Sequence, residues 1–315
     1  MPELPEVETT VRNLRKSIVG RRIKGAFSDT PQIFEDKRLL RTIGSELKGD
    51  SITSVDRHGK YLIFNLKSSR ILLAHMKMTG HFLFVTTPRP KLTKSKPTES
   101  QIPPVSIVYT IDTGGANAGT VNEREVGERF VRFSIEFFDG ARLLFSDVRK
   151  FGRIWLLDNG GRAEFFAKRK LGHDAMSPKC TEKYLASQLK RNRAIKSLLL
   201  DQTCIAGIGN IYADESLWQA KIHPMRKSSS LKEAEIRSIW AAIRAILKKG
   251  IRAGGTSIRD YRKPDGSLGY FQTLRAVYQK TGEPCRRCGT KIKRIVVAQR
   301  STHFCPKCQR LTINK

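Results

Sequence analysis

Apolar residues near the start of the chain recur three and four apart, at Val7, Val11, Leu14 and Ile18, which places them on one face of a single N-terminal helix. From Ile52 to about Asp158 the period shortens to two. The stretches "YLIFNL" and "ILLAHMKM" read as strands, and in "VRFSIEFFDGARLLF" Val131, Phe133, Ile135 and Phe137 alternate with Arg132, Ser134 and Glu136. Asp139-Gly140 stands where a tight hairpin turn is needed. Several short strands after one helix predict a β-sandwich with a flanking helix. From about Thr181 the pattern becomes helical. "IKSLLLDQ" and "IYADESLWQA" predict two short helices joined by "TCIAGIGN". A longer helix follows, with Ile236, Ile239, Trp240, Ile243, Ile246 and Leu247 on one face, opened by a Ser230/Glu233 capping box and ended by Gly254-Gly255. Residues 86–129 break the pattern, being rich in Pro, Gly, Ser and charge around one short apolar run, "VSIVYTID". This segment predicts an exposed insertion, whose lysines are either solvated or in touch with nucleic acid.

Composition adds a partner to this outline. The 59 Lys+Arg against 29 Asp+Glu leave a net charge of +30, which calls for a polyanion and predicts binding that weakens with salt. A membrane surface is the rival partner, but no stretch approaches the roughly 18 consecutive apolar residues of a spanning helix and no charged-then-apolar leader opens the chain. The expectation is a soluble intracellular protein with no membrane partner. Four of the six cysteines form two C-x2-C pairs, Cys285/Cys288 and Cys305/Cys308, with sixteen residues between the pairs. That spacing brings four thiolates to one tetrahedral Zn2+ from two turns bracketing a hairpin, with a redox pair as the alternative. Cys180 and Cys204 stand alone and are expected to pack in the core.

Two short stretches admit a structural and a chemical reading. Pro2, followed by Glu3, Glu6 and Glu8, suits a helix start, since proline fits a first turn and carboxylates favour a helix N-terminus. Gly207 and Gly209, just ahead of a helix, let backbone amides approach a phosphate, or else make a helix-to-helix turn with no ligand.

Taken together, "MPELPEVETT" at the start, "GKYL" at 59–62, "GIGNIYADESL" at 207–217 and "AQRSTHFCPKCQR" at 298–310 resemble the formamidopyrimidine-DNA glycosylase family, almost end to end apart from 86–129. The resemblance implies an α+β multidomain fold: an N-terminal β-sandwich with a flanking helix (1–160), a helix-two-turn-helix domain (161–280) and a C-terminal zinc-ribbon β-hairpin (281–315). It also implies a monomer in the bacterial cytoplasm, associated with the nucleoid, acting on double-stranded DNA that carries oxidised purines or abasic sites. Removal of Met1 would make Pro2 the nucleophile, and the ordinary pKa of a terminal amine, near 7.7–8.0, leaves a usable neutral fraction. Glu3 matches the general acid, with Glu6 supporting the site. Lys60 and Arg300 match the cations that assist the first and second phosphate eliminations. Met78 in "HMKMTG", with Arg149 and Phe151 in "DVRKFG", match the residues that fill the space left by an extruded base. Asn210, Lys190 and Lys196 match phosphate contacts.

Three departures from the family pattern are visible. Lys77 stands where a small residue is common, 86–129 lengthens the sandwich, and Arg132 replaces a phosphate-binding histidine with another cation. The loop "DYRKPDGSLGYF" at 260–271 suits a mobile lid over the lesion, with Gly266 and Gly269 as hinges. Leu4 and this loop favour the purine enzyme over the related endonuclease VIII, which takes oxidised pyrimidines. A non-catalytic zinc-ribbon protein that only binds damaged DNA would explain the charge and the cysteines, but not the N-terminal Pro-Glu pair or Lys60.

Overall fold

A computed structural model describes residues 1–86, 109–110, 120–121, 130–258 and 260–311. The first helix runs Leu4–Ile18, and Val7, Val11, Leu14 and Ile18 are all buried, as the spacing predicts. Fourteen short strands follow along the described chain: β1 (Ile23–Phe27), β2 (Ile52–His58), β3 (Tyr61–Leu66), β4 (Ile71–His75), β5 (His81–Val85), β6 (Tyr109–Thr110), β7 (Thr120–Val121), β8 (Val131–Phe137), β9 (Arg142–Ser146), β10 (Arg153–Leu157), β11 (His173–Asp174), β12 (Ile205–Ala206), β13 (Lys293–Val297) and β14 (Arg300–Phe304).

Two four-stranded antiparallel sheets, in the orders β1-β8-β9-β5 and β10-β4-β3-β2, face each other across an aromatic core. Phe34, Phe64, Phe82, Phe133, Phe137 and Phe145 are all fully buried there. Phe133, Ile135 and Phe137 point inward from β8, and Gly140 takes a positive φ of 84° in the β8–β9 turn, as its place before a hairpin return requires. Strand β1 and a helix at Leu39–Leu47 that packs on it were not anticipated; both are short and lie ahead of the clear alternation. Of the expected insertion, Thr86 and the β6–β7 pairing lie within the described residues.

The second half gathers the helices Gly161–Lys168, Glu182–Leu189, Ile195–Leu200, Asn210–Gln219 and Glu233–Arg252. Phe165 of Gly161–Lys168 packs on Ile63, Leu73 and Trp155 of the sandwich, whereas the last four share a core that includes Leu4 from the first helix, so the N-terminus is built into both halves. Cys180 and Cys204 are buried in the same core as packing residues. The long helix does not begin with a Ser230/Glu233 capping box. Its N-cap is Lys232, whose N–H donates to Glu235 Oε2 at 2.9 Å, because Ser228–Ser230 forms a separate 3-10 turn whose Ser230 hydroxyl accepts from Arg226.

The C-terminal hairpin β13–β14 turns through Ala298 and Gln299, both at positive φ (49° and 58°), a two-residue turn of the primed kind that matches strand twist.

Candidate active site and metal centre

The halves meet at the N-terminal segment. Glu3 is the N-cap of the first helix and Pro5 occupies its first turn, so Pro2 lies outside the helix and is not its starting device. Pro2 is buried beneath Met1, which is 52% exposed. Leu4 N–H donates to Gly207 O at 3.0 Å, which pins this segment to the glycine turn.

That turn exists for Glu3. Any Cβ on Gly209 would overlap the Glu3 carboxyl group, and one on Gly207, at φ 111°, would overlap Leu4. The Glu3 carboxylate instead accepts the amides of Ile211 (3.0 Å) and Tyr212 (3.4 Å) in the first turn of the Asn210–Gln219 helix. The anion at this helix N-terminus is therefore an internal carboxylate rather than a phosphate. Burial pushes the Glu3 carboxyl up to about 7, opposed by the positive charge of Lys60 and reinforced by the negative charge of Glu6.

Glu6 proves more deeply engaged than a supporting residue of the helix start. It accepts Glu3 N–H (2.8 Å), Tyr212 O–H (2.7 Å) and Thr256 N–H (2.6 Å), and its own carbonyl accepts from Tyr261 O–H at 3.1 Å. It thereby ties the N-terminus to the segment leading into the 260–271 loop.

Lys60 reaches this pocket from the β2–β3 hairpin tip. Gly59, at φ 56°, makes the tip tight, and a Cβ there would come within 2.9 Å of Ala206 in the opposite half. Lys60 is buried, and desolvation lowers its pKa against the pull of Glu3 and Glu6; the like charge of Arg300 lowers it further. Arg300 itself stands exposed at the start of β14. Nearby His75 is driven down to about 3 by burial and by Lys77 and Lys60, which leaves its ring neutral, with Nδ1 accepting Lys77 N–H at 3.0 Å.

A second cluster lies at the surface. Met78 and Phe151 are 39% and 44% exposed, so neither is a core residue, and Arg149 lies between them. The Arg149 guanidinium is 4.5 Å from the Phe151 ring centre and donates to Met78 Sδ at 3.4 Å. Asp147, fully buried, holds the trio together: its carboxylate accepts Thr79 O–H beside Met78, Arg149 N–H (3.2 Å) and Gly152 N–H (2.7 Å). Asp147 was not anticipated, although an aspartate followed by "VRKFG" is placed to collect successive amides of a turn.

The remaining expected contacts divide. Lys190 is exposed at the end of the Glu182–Leu189 helix, and Arg132 projects from β8 with Nε donating to Asp147 O at 3.0 Å. Asn210 donates from Nδ2 to Ser301 O at 3.0 Å. Lys196 is a correction. It is 0% exposed and its ammonium is committed to Asp214, Ser301 and Thr302, so it offers no charge to a phosphate backbone.

Two acids of "IYADESLW" belong to the site as well, and adjacent charges in the middle of a helix with buried neighbours are their signal in the sequence. Glu215 accepts three successive amides, Ala276, Val277 and Tyr278, at 2.7–2.9 Å, and burial raises its pKa. Asp214 holds Lys196 and the His303 N–H.

The 260–271 loop is tied down at several points. Pro264 O accepts Phe84 N–H from β5 at 2.9 Å, and Gly269 N–H donates to Ser257 Oγ at 2.9 Å. Gly266 supplies a positive φ of 76°, whereas Gly269 is required by close approach, since a Cβ would overlap the Gly255 carbonyl.

All four ribbon cysteines converge into one cluster, their sulfurs within 4.8 Å of one another. The Cys288–Cys305 and Cys288–Cys308 separations are 3.5 Å and Cys285–Cys308 is 4.0 Å. A tetrahedral zinc with bonds of about 2.3 Å sets its sulfurs about 3.8 Å apart, so the donors fit one Zn2+ and serve it as a closed structural site.

A helix-two-turn-helix protein with an N-terminal sandwich and a zinc finger belongs to the class that handles DNA, and the comparisons carry the assignment to a family. The formamidopyrimidine-DNA glycosylase N-terminal domain matches residues 1–154, the formamidopyrimidine-DNA glycosylase H2TH domain 171–262, and the zinc finger found in FPG and IleRS 282–311. Formamidopyrimidine-DNA glycosylases of Protochlamydia amoebophila and Symbiobacterium thermophilum are 36% and 38% identical to it, over 98% of this chain and 100% and 89% of theirs. Crystal structures of Lactococcus lactis Fpg with abasic-site DNA and with FAPY-dG DNA superpose with TM-scores of 0.80 and 0.79, at 35% identity, covering 98% of this chain and 100% of each. The chain belongs to the formamidopyrimidine-DNA glycosylase family. It is a DNA glycosylase of base excision repair with abasic-site lyase activity and one structural zinc. Among the described residues no helix is long and apolar enough to cross a membrane.

Proposed function

We propose that Pro2, freed of Met1, is the nucleophile that excises oxidised purines, 8-oxoguanine and formamidopyrimidines, from double-stranded DNA. Its secondary amine bonds to C1′ as the C1′–base bond breaks and the base leaves with a proton. Glu3 gives its proton to O4′ as the C1′–O4′ bond opens, leaving an iminium that has no N–H to lose and stays cationic. Loss of a C2′ proton then expels the 3′ phosphate by breaking C3′–O3′. Loss of the C4′ proton expels the 5′ phosphate by breaking C5′–O5′, and water hydrolyses the iminium to return Pro2. Lys60 stabilises the first departing phosphate and Arg300 the second.

The observation that carries this reading is the Glu3 carboxyl: next to Pro2, shielded from water, and raised to about 7, where an appreciable fraction carries a proton near neutral pH and can release it. Met78, Arg149 and Phe151 fill the stack once the base is extruded, while Arg132, Lys190 and Asn210 touch phosphates. Lys196 is left out of this set. The working units are 1–160, 161–280 and 281–315, acting on chromosomal DNA in the cytoplasm.

Borohydride added to a mixture of Met1-processed protein and 8-oxoguanine duplex should trap a covalent adduct that maps to Pro2 by mass spectrometry. An adduct at Lys60, or none, sinks the proposal. Parallel reactions with an oxidised pyrimidine should proceed more slowly, and equal rates would remove the purine preference.

A further inference from the structure

The catalytic residues of the two ends of the reaction sit on different parts of the chain, Glu3 at the N-terminus and Arg300 on the ribbon, yet one helix touches the supports of both. The N-terminal amides of the Asn210–Gln219 helix hold the Glu3 carboxylate. One turn further along, Asp214 pairs with Lys196 at 2.6 Å, both side chains fully buried, and takes the His303 amide at 2.9 Å. Lys196 Nζ in turn donates to Thr302 Oγ1 (2.8 Å) and Ser301 O (3.0 Å), and the Thr302 hydroxyl donates to Arg300 O at 3.1 Å. A continuous chain of contacts therefore runs from the helix through Asp214, Lys196 and Thr302 to the backbone of Arg300.

We propose that Lys196, Asp214 and Thr302 are positioning residues that fix the Arg300 strand relative to the Glu3 pocket and thereby set how far the reaction proceeds past the first elimination. This rests on the role assigned to Arg300 above. Lys196, Asp214 and Thr302 are all buried away from the surface, so base excision and the first elimination should be largely spared when the chain of contacts is cut, while the second, which needs Arg300 in register, should fail. A buried ion pair is well suited to such a duty, because it is satisfied in one geometry and costly in any other.

The test uses the zinc-loaded, Met1-processed protein on an end-labelled duplex with one abasic site, which bypasses base recognition. Denaturing gels separate the 3′ unsaturated aldehyde left by one elimination from the 3′ phosphate left by two. Thr302→Val keeps the shape and removes the link to Arg300; it should lower the two-elimination share about three- to tenfold, with zinc content retained and the melting temperature lowered by only the few degrees that one lost acceptor for Lys196 costs. Replacing the pair by apolar residues, Lys196→Met with Asp214→Leu, should lower it further while avoiding an orphaned buried charge. Arg300→Ala is the reference. If it lowers the share and Thr302→Val does not, the positioning role is wrong. If Arg300→Ala itself leaves the share unchanged, the reading of Arg300 falls and this inference with it.

Discussion

Glu3, Glu6 and Lys60 are ionisable and buried, whereas Met78 and Phe151 are apolar and exposed, so the two regions invert the usual inside–outside rule in opposite directions. The buried set is held by other groups at every turn: amides of Ile211, Tyr212 and Thr256, a tyrosine hydroxyl, and glycines that leave no room for a side chain. The exposed set is anchored from beneath through Asp147, while its tips touch one another, Arg149 against Met78 and Phe151, and stand open to solvent. Charge taken out of water acquires a shifted proton affinity at a cost in stability. Apolar surface left in water costs little and is available to a partner.

The largest effect that separates the two regions should come from Glu3→Gln. Single-turnover base excision should fall by about 10²–10⁴-fold, the usual range for a lost general acid, while the DNA dissociation constant stays near that of the parent. Comparable loss of binding would return Glu3 to a merely structural role.

The same substitution separates the regions in stability. The Glu3 carboxyl is raised from 4.5 in the unfolded chain to about 7 in the fold, so its contribution is full below pH 4.5 and is lost as pH rises through about 7. Above that pH the buried charge costs on the order of 3 kcal/mol, which Glu3→Gln removes. Melting curves should show the variant more stable than the parent at pH 8 and level with it at pH 4. Parallel melting curves at all pH values would show that Glu3 carries no such shift.

Phe151→Ala should behave oppositely. Its ring is 44% exposed, so stability should change by no more than about 0.5 kcal/mol, whereas the fully buried Phe133→Ala should cost about 3–5 kcal/mol. Excision from duplex should drop about tenfold as the gap in the stack goes unfilled. A duplex already gapped opposite the lesion should restore much of it.

The smallest effect belongs to an ordinary surface charge. Arg12→Ala removes an exposed helical pair with Glu8, which keeps Arg57 as a partner, and should alter stability by less than about 0.5 kcal/mol in urea titrations.

The two regions were also unequally visible in the residue order. Phe133, Ile135 and Phe137 announce a half-buried strand because each local choice agrees with its neighbours, and the cysteine spacing names its metal for the same reason. Pairing over a long separation leaves no such mark. Lys196 reads as one more surface cation until Asp214 is seen to close on it, and Gly209 reads as a phosphate turn until Glu3 is found in the space. The Ser230/Glu233 box failed for a nearer reason: Lys232 with Glu235 offers the same spacing two residues on, and Ser230 was already engaged with Arg226.

Because Gly209 and Glu3 share one small volume across more than two hundred positions of chain, no side chain fits at 209 while the glutamate stays in place. A lineage drifting toward a bulkier residue at the turn would evict the carboxylate that the turn encloses, so the freedom of position 209 to vary is set at the other end of the sequence.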